Sequence, residues 1–281
     1  MTPVPRIIDT SQAFDTFAGE VELETPLVRE VRWRDQYEAG YTEVFEAFYE
    51  AQGSRDRPAG MLHNLSRVRK HAREAAAALP EIIETVDEAV GRTLGFEPGD
   101  GPVHVLLVGT AGANAVVGRL GDETAVFHSL EWFQAPEPAR VAVAHETAHG
   151  WHQKHLSEAP PANDAAWPVF EEGLAVQTSR AVVPGRPEDE YFWYGLEGFD
   201  HWAAWCADHA KKLRHRMHHA LEDPSSLSQL FGSGAVEGHH RTGYHVADGL
   251  VAEMQRPLNE LARLSPAEAS AAIREALRAA H

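Results

Sequence analysis

The chain has 281 residues, with 25 Lys plus Arg against 42 Asp plus Glu and a formal net charge of −17. That length can bury a substantial core, as one large domain or two smaller ones, and the acidity argues against nucleic acid or anionic membranes as partners. One cysteine, Cys206, excludes an intramolecular disulfide; with neither a secretory leader pattern in residues 1–19 nor an uninterrupted apolar span, a soluble cytoplasmic protein is expected.

After a short irregular start, residues 26–53 are predicted helical, with Val31, Tyr37, Tyr41, Val44, Phe45 and Phe48 available for packing. Two more helices are predicted near 64–78 and 80–94. The Gly- and Pro-rich stretch 95–102 is the clearest break, dividing a helical N-terminal region (1–100) from the remainder (101–281). Residues 103–108 read as a buried strand, and 114–120 with 124–132 as a hairpin around Gly121-Asp122.

The pentad His145-Glu146-Thr147-Ala148-His149 comes next. On a helix, positions i and i+4 share a face, so both imidazoles can bind one metal ion, with Glu146 a step round the helix beside it. The surroundings favour a helix: an Ala-rich approach, Pro138 in the first turn, and Val141, Ala144, Ala148 and Trp151 at spacings of three and four. Gly150 is its weak spot, since an interior Gly costs about 1 kcal/mol against Ala. Two histidines and a glutamate are costly to bury on a mostly apolar helix, and a metal would compensate them.

A third ligand decides the type of site. In Trp167-Pro168-Val169-Phe170-Glu171-Glu172-Gly173-Leu174-Ala175, a second helix can deliver a carboxylate from Glu172, with Gly173 allowing a close approach to the first helix and Leu174 and Val176 anchoring it. Glu171 is the local rival; one residue is a rotation of about 100°, so only one of the two faces the metal. Alternatively, both form a solvated acidic pair favourable to a helix start.

The pentad together with Glu172-Gly173-Leu174-Ala175 resembles the gluzincins, the thermolysin-like zinc peptidases, and the bacterial zinc-dependent proteases carrying the same two segments. The resemblance covers roughly residues 103–255, and the helical N-terminal hundred add nothing specific to it. It implies an α+β, mostly helical, zincin-like fold. A small mixed sheet with an antiparallel edge strand would pack on the motif helix and pair with extended peptide, followed by a helical C-terminal part. It also implies Zn2+ held by His145, His149 and Glu172, Glu146 as general base, and a peptide or protein substrate. The metzincin spacing offers His155 instead, but His152 stands where that group has the Gly that turns the chain back to the metal.

Beyond Arg180 the chain reads as helical, with turns at Pro184-Gly185, Asp223-Pro224 and Phe231-Gly232-Ser233-Gly234. Cys206 sits among Trp202, Ala203, Ala204 and Trp205 as a core residue, and His215, His218 and His219 lie on one face of a charged helix. The segment from Gly238 to Ala247 collects imidazole, guanidinium and hydroxyl groups just before a helix. Gluzincins commonly bring a Tyr or His from a later segment to the oxyanion. That likeness implies the role for Tyr244, with His240 and His245 behind it, although a Tyr at a helix start equally serves core packing. The rival class of function is a zinc-binding scaffold or regulator of the same fold without peptidase activity.

Overall fold

The computed structural model describes residues 4–55, 58–161, 163–232 and 234–279, and its architecture is α+β, mostly helical, with a small mixed sheet. Two compact units divide the chain, Met1–Glu88 with Pro98–Gly150, and Ala89–Glu97 with Trp151–His281. No described helix is long and apolar enough to cross a membrane.

The start of the chain is more regular than expected, with β1 (Ile7–Asp9) followed by α1 (Ser11–Glu20). A three-residue strand shows no period in sequence; its pairing with a distant strand creates it. Thr25 caps α2 (Pro26–Arg32) in extended conformation, with Pro26 in the first turn, where its missing N–H costs nothing. The chain then widens into a π-helical stretch, Trp33–Glu38, before α3 (Thr42–Gln52), which stops at Gly53 in the left-handed conformation. The expected 26–53 helix is therefore interrupted. The wide turn accompanies burial of both Trp33 and Tyr37, whose rings are 4.8 Å apart, with Phe45 5.0 Å and Phe14 5.5 Å from Tyr37. The Tyr37 hydroxyl accepts from the Val108 amide at 2.9 Å and pairs with the Thr10 hydroxyl at 2.7 Å.

After α4 (Ala59–His63), one helix, α5 (Leu65–Thr93), replaces the two predicted. Pro80 lies inside it. An interior Pro costs about 3 kcal/mol, and burial of Leu79, Ile82 and Ile83 around it supplies packing of comparable size.

Strands β2 (Val103–Leu107), β3 (Ala115–Leu120) and β4 (Glu123–Ser129) complete a sheet of order β1-β2-β4-β3. β2 is parallel to both β1 and β4, and β3 runs antiparallel to β4 at an edge. The hairpin has its expected two-residue loop, Gly121 providing the positive φ of 60° at the first position. Its second strand ends three residues early. Residues Leu130–Trp132 form a 3-10 turn, and the Glu131 carboxylate accepts from the amides of Gly109 and Ala111, both at 2.9 Å. Alternation puts Phe127 toward Phe48 of α3 and Val126 toward α6 (Pro136–Lys154). A Cβ on Gly150 of α6 would lie 2.6 Å from Val126, so the interior Gly that weakens the helix is what lets it lie on the sheet.

The second unit contains α7 (Ala166–Val182), α8 (Glu190–Trp193), α9 (Trp202–Asp208), α10 (Ala210–Ala220) and α11 (Pro224–Phe231). A two-stranded ladder of β5 (Ala235–Val236) and β6 (His239–His240) follows, then α12 (Thr242–Glu253), α13 (Leu258–Leu261) and α14 (Pro266–Ala279). Of the predicted turn at 231–234, Ser233 lies outside the described residues. Cys206 is fully buried, as expected. Gly173 serves a different neighbour from the one anticipated. A Cβ there would fall 2.3 Å from the Ala247 carbonyl oxygen and 2.5 Å from Val251, so the close approach is of α7 to α12. Because a backbone oxygen cannot move aside as a side chain can, Gly173→Ala is expected to destabilise the protein by roughly 3 kcal/mol, read as a lowered urea midpoint.

One buried polar chain had no signature in the sequence. His104 Nδ1 lies 3.0 Å from His128 Nε2, and His104 Nε2 3.2 Å from Asp87 Oδ1, all three residues being buried. Burial, reinforced by His104, holds the His128 pKa well below its ordinary 6.5. The folded state therefore keeps His128 neutral while the unfolded chain protonates it, so the unfolded state binds more protons below about pH 6.5 and is favoured there. Stability of the wild type should fall as pH drops through about 6.5, and His128→Gln should flatten that dependence in urea titrations at about pH 7.5 and pH 5.5. An unchanged slope in the variant would remove His128 as its source.

Candidate metal centre

Helix α6 fixes the relation of the two motif histidines, one turn apart on one face. Their rings stand 4.9 Å apart at 76°, with Nε2 atoms 3.2 Å from each other. Two Zn–N bonds of about 2.05 Å at the tetrahedral angle span about 3.3 Å, so the pair is already at the spacing a shared ion requires. The exposed His215 and His219 of α10 show the same 3.2 Å separation, so the number itself follows from the helical spacing. Burial distinguishes the α6 pair: His145 is 2% exposed and His149 half-buried, with the adjacent Glu146 9% exposed.

The last turn of α6 also positions α7. His152, three residues past His149, is buried against the rings of Trp167 and Phe170 at 5.5 and 6.0 Å. Two residues beyond Phe170 comes Glu172. His145, His149 and Glu172 each offer a donor atom, and the three lie within 4.8 Å of one another, the one group of three such donors among the described residues. Two imidazoles and one carboxylate form a donor set that could hold a metal ion, and zinc is among the ions that take such ligands.

The other candidates lie elsewhere. Glu171 is not in that group, and neither is His155, whose ring stacks on Phe96 at 4.2 Å and Trp151 at 5.5 Å just past the end of α6. His240 is exposed on β6, its Nδ1 3.2 Å from the Gly234 carbonyl oxygen. His245 tilts against Phe192 at 5.9 Å, and burial lowers its pKa. Tyr244 stands at the first turn of α12 with the Phe231 ring 5.1 Å away and the Arg241 guanidinium 4.4 Å over its own ring.

Arg241 and Tyr194 received no role from the sequence. Both hold left-handed backbone, with φ of 58° and 52°, and the Arg241 guanidinium lies over the rings of Trp193 and Tyr194 as well. A left-handed residue other than Gly leaves no pattern in sequence, so only the quoted guanidinium beside Tyr244 could have drawn notice.

Zinc content of the purified protein, measured by elemental mass spectrometry, is expected to be one ion per chain, lost in Glu172→Ala and retained in His155→Ala. Retention in the first and loss in the second would move the third ligand to His155. No family model, no curated protein and no solved structure matches this chain.

Proposed function

We propose that this protein is a zinc-dependent metallopeptidase of the gluzincin kind, with a zincin-like fold, that hydrolyses peptide bonds. The observation that carries the reading is the group His145, His149 and Glu172, with the nearly buried Glu146 one residue from the first ligand. A structural zinc has no use for a carboxylate in that place, whereas hydrolysis does. The antiparallel edge strand β3, bonded on one side to β4, supports it as the element to which an extended peptide would add.

A bound zinc ion would supply Lewis acidity and make water available as a nucleophile near neutral pH. The chain's own residues do the rest. His145, His149 and Glu172 would hold the ion; Glu146 takes the proton from water as it attacks the scissile carbonyl and returns it to the leaving amine. The Tyr244 hydroxyl donates to the oxyanion as charge builds there, a contribution typically worth about 3 kcal/mol.

Glu146→Gln is expected to keep its zinc while losing roughly a thousandfold in cleavage of a mixed pool of quenched fluorescent peptides. Cleavage at the wild-type rate would sink the mechanism. A zinc-loaded wild type that cleaves no peptide in the pool would leave a metal-binding scaffold or regulator as the better reading.

A further inference from the structure

Arg241 is explained neither by the metal ligands nor by the packing of α12. It stands at the N-terminal cap of α12 with φ 58° and ψ 21°, and Tyr194, directly after α8, has φ 52°. Residues with side chains hold such backbone only where their surroundings impose it, and these positions concentrate at ligand sites. The guanidinium carbon lies 4.4 Å from the Tyr244 ring centre, 5.2 Å from that of Trp193 and 5.4 Å from that of Tyr194. Its Nε is buried without a hydrogen-bond partner. The guanidinium also hydrogen-bonds Tyr194, while the ring faces hold it without consuming further N–H donors.

The charge on this group is permanent. Burial opposes it, but Tyr244, Tyr194 and Glu172 outweigh that and raise the Arg241 pKa above its ordinary value. Glu172 is the carboxylate among these neighbours, and it is also the proposed third metal ligand, so its charge would be shared with a dication. A poorly solvated cation whose hydrogen bond to Tyr194 leaves the buried Nε without a partner is best satisfied by an anion, and the planar guanidinium fork matches a carboxylate.

We propose that Arg241, held by Trp193, Tyr194 and Tyr244, is the anchor for a carboxylate of the peptide substrate, either its C-terminal carboxylate or an acidic side chain. The assignment rests on the peptidase reading for what the bound peptide is, while the binding itself does not require the metal. A terminal carboxylate would make the protein a carboxypeptidase; a side-chain carboxylate would give it specificity for acidic residues.

The test is affinity selection of mixed-sequence N-acetylated hexapeptides, as free acids and as C-terminal amides, on metal-stripped wild type and on zinc-loaded Glu146→Gln. Arg241→Asn and Arg241→Lys are examined in both forms. Asn removes the charge and tolerates left-handed backbone; Lys keeps the charge and loses the fork. We expect free acids to be retained roughly tenfold or more over amides, the preference to vanish in Asn, and part of it to return in Lys. If the Asn variant does not fold, a reduced preference in Lys carries the same inference. Retention of amides only when they contain Asp or Glu, with the same dependence on Arg241, would assign the carboxylate to a side chain.

Equal retention of acids and amides irrespective of acidic residues would overturn the proposal. So would retention unchanged in Asn, no retention by folded wild type, or a loss of zinc in Asn that leaves the carboxylate preference intact. Zinc content measured in parallel keeps the two readings apart: a wild type without zinc removes the peptidase assignment and leaves any acid preference to be judged alone.

Discussion

Helix α6 carries His145, Glu146, Thr147 and His152 into the interior, and an interior accepts such groups only in exchange for partners or a ligand. His152 spreads its ring against Trp167 and Phe170, which ties the end of α6 to the start of α7. His145 and His149 share a face with a glutamate carboxylate close by. At the sheet the same constraint has another solution, a chain of contacts from Asp87 through His104 to His128. This chain pairs side chains with one another, whereas His145, His149 and Glu172 gather donors that could hold a metal ion.

Each of the two donor helices is clamped by a missing side chain directly after its donor. Gly150 follows His149 and presses α6 onto Val126 of β4; Gly173 follows Glu172 and presses α7 onto Ala247 and Val251 of α12. Successive helical residues are about 100° apart, so pinning the glycine side fixes the rotation at which the donor projects. The glycines thus weaken each helix locally and define it globally. A donor whose angle is set by backbone contact also needs less ordering when an ion binds.

What could be read from the chain was what local pattern encodes. The strand 103–107, the Gly121-Asp122 hairpin and the helix around the pentad depend on alternation, a turn residue and a helical face, and all three are present. The joining of two predicted helices through Pro80 was not readable, because the deciding term is packing of Leu79, Ile82 and Ile83 rather than the residue's own preference. Nor were β1 and the His104–His128–Asp87 chain, whose partners are separated by many residues. At the site, the spacing of His145 and His149 was legible because a helix repeats. The use of Gly173 was misassigned because sequence shows that something comes close without showing what. Arg241 was visible only as the guanidinium of the 238–247 segment, without a role, since its distinction is a backbone angle.

The left-handed backbone at Tyr194 and Arg241 bears on how this sequence can change over time. Each such residue costs on the order of 1 kcal/mol against a Gly at the same angle. Selection for thermal stability alone would drift both positions toward Gly or Asn, and in doing so would dismantle the aromatic enclosure. Variants chosen only for heat resistance are thus expected to converge on a more stable but emptier molecule, a conflict between durability and use written into two φ angles.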